Sequence, residues 1–206
     1  MLFIKANSGY YLKSLQVILI KIDKQYRNQN RFRFFYYIAF ADIQSYNINM
    51  IVHPIDPVYD EKSEVLILGS FPSVRSRKEG FFYGNPQNRF WRVLAAVFGE
   101  EEPKTVDEKK EFLLCHRIAL YDVIKSCEID GSADGSIRNA VPADIAALIE
   151  KTAINRIFLN GATAERYYKK YNAEIELPAI RLPSTSPANA AWTLEKLIEK
   201  WKIVNK

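Results

Sequence analysis

The chain is poor in the residues that most often carry chemistry by themselves, with two cysteines and two histidines among 206 residues. Cys115 and Cys127 cannot complete a four-thiolate zinc or iron–sulfur site. Without an export signal they are expected to be ordinary thiols in a reducing compartment. No apolar run approaches the roughly 20 residues of a membrane-spanning helix. The early run LQVILI is short and lacks a small-residue cleavage site, so neither a span nor a secretory leader is expected, and the protein is placed in the cytoplasm. A glycine-rich phosphate loop and an HExxH pair are also missing, and no metal or cofactor is expected. His53 lies in a proline-rich lead-in. His116 lies near a helix end, where a positive charge suits the dipole, and both read as structural.

What is present is a globular composition, 48% hydrophobic and 26% charged, enough for one domain with a real core. The net charge of +5 suggests nucleic acid, but its placement undercuts that argument. Residues 1–49 hold seven basic residues against two acidic ones, so residues 50–206 are neutral overall. A nucleic-acid surface must therefore be a local patch, for which Arg75, Arg77, Lys78, Arg89 and Arg92 are the candidates.

The composition changes near Met50. Two readings compete for residues 1–49, centred on RFRFFYYIAF. One is an aromatic and basic arm of the kind that stacks on single strands. The other, preferred, is a poorly ordered extension outside the functional protein, which then occupies residues 50–206. From Met50 on, short apolar runs alternate with helical periods. Val65–Gly69, Ile118–Ile124, Asn155–Asn160 and Ala179–Leu182 read as strands. Asn88–Phe98, Asp107–His116, Ala143–Lys151, Gly161–Tyr171 and a last stripe of Leu194, Leu197, Ile198, Trp201 and Val204 read as helices, and DGSADGSIRN as a loop. This alternation predicts an α/β three-layer sandwich: a central, mostly parallel four-stranded sheet flanked by helices.

Such a sheet binds ligands beyond the carboxyl ends of its strands. Those ends are Gly69–Ser73, Asp122, Asn160–Gly161 and Pro183–Asn189. The stretch leaving the first, GSFPSVRSRKEGFFYGNPQNRFWRVL, gathers prolines, basic residues, aromatics and amides. Asp122 can act as a base, but a lone Asp at a strand end is as often a turn or cap residue. Otherwise the edge offers amides and hydroxyls: Ser70, Ser73, Ser76, Asn85, Asn88, Asn160, Ser184, Thr185, Ser186 and Asn189. Amides are poor acids and bases, yet they orient water and read base edges. They suit a reaction whose transition state is an oxocarbenium-like sugar. By spacing alone, Asn88 reads first as a helix cap.

Four segments change that weighting: GSFPS, FFYGNPQNRFW, FLNGATAERYY and LPSTSPANA. In this order, each at a strand's carboxyl end, they resemble the signature segments of the uracil-DNA glycosylase superfamily, most closely its hypoxanthine-DNA glycosylase branch. The resemblance runs from about Val52 to Trp201. It implies an enzyme of base-excision repair that acts on DNA containing deaminated bases, chiefly hypoxanthine, and leaves an abasic site. No matched segment places a lysine beside Asn88, so a monofunctional enzyme without a lyase step is expected, and a monomer. Many superfamily members place a catalytic Asp or Asn in the first segment, where this chain has Phe71. In the hypoxanthine branch the role falls on the asparagine of NRFW, here Asn88, which would position the attacking water. Asn160 resembles the amide that reads the base or holds the reacting centre. Tyr83 matches an aromatic on which the extruded base stacks. Phe71, Asn85 and Ser184 complete the implied base pocket. Ser73, Arg75, Ser76 and Arg77 would meet the DNA backbone, with the wedge loop Ser186, Pro187, Ala188 and Asn189.

Two departures stand out. Asn85 replaces the histidine of the usual GHPQNRFW, and Ala188 replaces the bulky wedge leucine of uracil-specific relatives. Two alternatives stay open: a glycosylase for uracil or another deaminated base, and a DNA-binding module that kept the fold without the chemistry.

Overall fold

The strand beginning at Val65 is the centre of the molecule, and its composition explains why. VLILG is buried along its whole length, with Leu66, Ile67 and Leu68 fully enclosed, as a strand covered on both faces requires. In the computed structural model, which describes residues 50–205, it is β2 (Val65–Gly69), in the larger of two sheets. Parallel partners flank it: β3 (Ile118–Asp122) on one side and β6 (Arg156–Asn160) on the other, with β7 (Ala179–Leu182) outside β6. The order β3-β2-β6-β7 is the expected four-stranded parallel sheet. Because the chain runs from β2 to one side and then returns to the other, the connections diverge at β2 and β6. That crevice is where such sheets bind ligands.

Helices flank the sheet: α1 (Val74–Glu79), α2 (Phe90–Phe98), α3 (Val106–Cys115), α4 (Ile145–Ile149), α5 (Ala162–Tyr171) and α6 (Leu194–Trp201). Their ends follow local chemistry. Thr105 and Glu108 form a reciprocal capping box on α3, and Thr193 caps α6. Gly99 ends α2 in the left-handed conformation. α2 packs on α6 through Phe90 and Trp201, whose rings meet edge to face at 5.8 Å.

The structure departs from the sequence reading in three places. Ile118–Ile124 is not one strand. β3 ends at Asp122, and the chain turns at Val123, whose N–H donates to Gly69 O at 3.0 Å. It then enters a second sheet of order β1-β4-β5, formed by Met50–Val52, Ile124–Glu128 and Arg138–Pro142. The stretch read as loop therefore ends by entering β5. The third difference is α1, a two-turn helix too short and too basic to show a period, nucleated by Ser73 and stopped by Gly80 at φ 71°. Both cysteines are free thiols, Cys115 exposed and Cys127 buried. Among the described residues no helix is long and apolar enough to cross a membrane, and no cluster of ligands could hold a metal. The extension expected over residues 1–49 lies outside the described residues.

Candidate active site

The four parallel strands end in register, Gly69 beside Asp122 and Asn160 beside Leu182, so their carboxyl ends form one ledge. Above it opens a cavity of about 570 Å³. Asn88, Asn160, Tyr83 and Ser184 all line it, as do Phe71, Ser73, Asn85 and the exposed tip of the 183–189 loop. Two glycines let the walls close in. A Cβ on Gly69 would stand 2.2 Å from Asp122 Oδ1. One on Gly161, whose φ of 99° already favours glycine, would stand 2.8 Å from Ser184 Cβ.

The N-cap of α2 is Arg89, and Asn88 stands one residue before it. Asn88 Oδ1 accepts the Phe90 N–H at 3.0 Å, fixing the side chain at the start of α2 and leaving the rest of the amide at the cavity. Tyr83 holds a left-handed backbone (φ 53°), uncommon for an aromatic, of the kind that gathers at functional sites. Its ring stacks on Phe90 with centroids 3.8 Å apart, and the residue also borders the cavity. Burial and the Asp122 charge push its hydroxyl far above the usual phenol range, so it stays neutral.

Asn160 is fully engaged. Its Nδ2 donates to Tyr83 Oη and Thr185 Oγ1, both at 3.0 Å, and its Oδ1 accepts Thr185 N–H at 3.0 Å. Both amide hydrogens are used within the protein. Asn160 therefore joins the aromatic wall to the loop opposite.

That loop depends on Arg89, a residue expected only as part of a basic patch. Its backbone N–H and its Nε both donate to Thr185 O, at 3.1 and 3.2 Å. The guanidinium also donates to Ser186 O at 2.6 Å, to Asn189 O at 3.1 Å and to Trp192 O. This fork geometry is what a guanidinium supplies and an ammonium cannot. Ser184 and Ser186 accept N–H groups two residues on, and Asn189 Nδ2 donates to Ser184 O at 2.9 Å. Pro187 and Ala188 are left exposed at the tip.

The hydroxyls and cations of the first wall are placed differently from expectation. Ser76 is buried, bonds Ser73 Oγ at 3.0 Å and accepts Gly84 N–H at 3.1 Å, so the two serines build the turn around α1. Arg77 donates to Pro72 O and Gly131 O and lies over the Phe71 ring. Arg75 is exposed and paired with Glu79. Lys78 and Arg92 are exposed.

The β2 and β3 ends of the sheet bring two carboxylates to the cavity that sequence reasoning largely missed. Asp122 is neither a cap nor a lone acid: its Oδ2 meets His53 Nε2 at 2.9 Å, both residues buried. His53 Nδ1 accepts the Ile55 N–H, which puts the imidazole proton on Nε2, pointing at Asp122. The ring packs among Phe71, Phe82 and Tyr121. Asp134, in the loop between β4 and β5, lines the cavity and accepts Ser70 Oγ–H, with its two oxygens 3.0 and 3.1 Å away. Burial raises its pKa above the usual carboxylate value. Hydrogen bonds from Ser70 and Thr163 oppose this, and the Asp122 charge adds to it. Asp122 carried a sequence signal, a strand terminus on the binding edge. Asp134 carried none.

A four-stranded parallel sheet with an amide- and aromatic-lined cleft at its carboxyl edge and a pinned loop beside it defines a class. The family model of the Uracil DNA glycosylase superfamily matches residues 57–206, and the chain belongs to that superfamily. A hypoxanthine DNA glycosylase from Methanosarcina acetivorans is 36% identical over 160 residues, covering 75% of this chain and 98% of the relative. A second protein of that name, from Methanosarcina barkeri, is 38% identical over 84 residues, 40% of this chain and 53% of the relative. The solution NMR structure of a candidate uracil DNA glycosylase from M. acetivorans superposes with a TM-score of 0.64 at 30% identity, covering 76% of this chain and all of the other.

Proposed function

We infer that the protein is a monofunctional DNA glycosylase of base-excision repair that removes deaminated bases, chiefly hypoxanthine. The observation that carries this reading is the position of Asn88. Its amide is fixed at the cavity, one residue from the Arg89–Thr185 contact that anchors the protruding loop. A strand lying against Ser186, Pro187, Ala188 and Asn189 would bring a flipped nucleotide's sugar beside that amide.

Extruding the base costs a few kcal/mol, least for a mismatched base. Stacking on Tyr83, backed by Phe90, returns roughly 1–3 kcal/mol. Phe71, Asn85 and Ser184 border the same space. Asn88 orients a water at C1′. As the C1′–N bond breaks, its electron pair leaves with the base. The water oxygen bonds to C1′ and its proton balances the departing base, giving an abasic sugar. Asn160 holds Tyr83 and Thr185 in place and acts as a positioning residue. A lyase step would need a deprotonated amine, and among the described residues no lysine borders the cavity. Arg75, Lys78 and Arg92 supply exposed charge for the DNA backbone. We further propose that the protein acts as a monomer, in the cytoplasm.

Single-turnover excision from duplexes carrying one hypoxanthine, uracil or xanthine tests this reading. Hypoxanthine is expected to be released fastest. Asn88→Ala should slow release by about a hundredfold or more through loss of water alignment, while binding to abasic-site DNA persists. Faster release of uracil would assign a different substrate, and binding without release of any base would leave a DNA-binding module.

A further inference from the structure

The β2 and β3 side of the cavity is built from groups that the excision chemistry does not use. Three contacts hold the Asp134 loop against the β2–α1 segment. Ser70 Oγ donates to the Asp134 carboxylate, Val74 N–H donates to Ser132 Oγ at 2.9 Å, and Arg77 Nη2 donates to Gly131 O at 3.2 Å. The carboxylate is thus held at the cavity wall with oxygen lone pairs to spare. Partial burial leaves its charged form short of solvation, so a further N–H donor would be welcome there.

The sheet order tells which part of a flipped nucleotide would arrive. Asn88 and the protruding loop stand at the β7 end, joined through Arg89. Asp122 stands at the end of β3, and Ser70, which follows β2, holds Asp134 above the end of β2, where Thr163 at the start of α5 also bonds the carboxylate. A base whose sugar sits beside Asn88 reaches across the ends of β6 and β2, with the edge farthest from its glycosidic bond toward Asp134. In a purine that edge carries N1. Deamination of adenine turns N1 from a bare acceptor into an N–H donor, and an ionised carboxylate only accepts.

We propose that Asp134, steadied by Ser70, accepts the ring N–H on the Watson–Crick edge of the flipped base, admitting hypoxanthine and turning away adenine. The proposal rests on the glycosylase reading for the direction of the nucleotide. Asp122 is poorly placed to accept that N–H. It is 4% exposed, one oxygen receives His53 Nε2, and the other is tight against Gly69.

The test uses the full chain and duplexes carrying 2′-fluoroarabino analogues of inosine and of nebularine. Nebularine is a purine nucleoside with no hydrogen on N1, and the fluorine blocks hydrolysis, so affinity is read without turnover. The wild type is expected to prefer inosine by roughly tenfold or more. Asp134→Asn, whose amide can accept from one base or donate to the other, should bring the ratio close to one. Ser70→Ala should reduce it in part and guards against a misfolded Asn variant. Asp122→Asn should weaken both duplexes without closing the gap. A ratio unchanged in Asp134→Asn, or abolished by Asp122→Asn instead, overturns the proposal. So does a wild type that does not distinguish the duplexes. Excision of ordinary hypoxanthine by the wild type is scored separately. If it is absent while an Asp134-dependent preference remains, the enzyme reading fails and the base reading stands.

Discussion

The two ends of the cavity are held together by opposite means. At the β7 end, one side chain, Arg89, holds a whole loop through four backbone carbonyls. The exposed side chains at the loop tip take no part in that anchorage. Toward β2 and β3 the two carboxylates are held by other side chains, His53 on Asp122 and Ser70 on Asp134, although Arg77 also reaches the Gly131 carbonyl of the Asp134 loop. A loop held by its backbone can change its tip without losing its position, which suits an element that meets DNA of any sequence. A wall built from charged and hydroxyl side chains changes its chemistry with any substitution, which suits discrimination. Ala188 falls at the first kind of place, exposed at the loop tip.

Substitutions at each end should separate these two designs. The largest effect is expected for His53→Ala, which strands the buried Asp122 carboxylate and opens a void among Phe71, Phe82 and Tyr121. Breaking a buried pair in this way costs about 3–5 kcal/mol, to be read from the urea midpoint at constant slope. Next comes Arg89→Lys, expected to lose about 2 kcal/mol because an ammonium cannot serve four divergent carbonyls. Its signature is local: proteolysis within 184–192 should accelerate more than global unfolding does. The smallest effect is expected at the tip. Ala188→Leu should leave thermal stability unchanged and tighten binding to abasic-site DNA by about 1 kcal/mol, roughly fivefold, as the larger side chain fills the vacated stack. A large stability loss there would mean that the tip is not independent of its anchorage.

The sequence made much of this site legible, and for local reasons. Val65–Gly69 is a short apolar run ending in glycine, and NRIFLN is another ending in an amide, so both strands and the ends that border the cavity could be read directly. Asn88 precedes an apolar period, which reads as a cap; the N-cap is Arg89 instead, and the Asn88 amide accepts the Phe90 N–H from one residue earlier. The chain's turn at Val123 was hidden. Apolar character continues through it, and only the sheets on either side decide where β3 stops and β4 begins. Ser76 and Arg77 looked like surface groups because they lie among polar neighbours. Their burial and bonding depend on Gly84 and Gly131, which the local pattern does not reveal as partners.

By itself, then, the sequence determined the parallel sheet, the edge where ligands bind and the amide and aromatic vocabulary gathered there. Periodicity and turn chemistry act over a few residues, so they are written in the order of the chain. Only the tertiary structure decided the charges and the anchorage. His53 meets Asp122 across 69 positions, Ser70 meets Asp134 across 64, and Arg89 reaches carbonyls about a hundred positions away. Such pairs form because parallel strands with crossover connections bring distant strand ends to one ledge. There burial makes an unpartnered charge costly and a partnered one decisive.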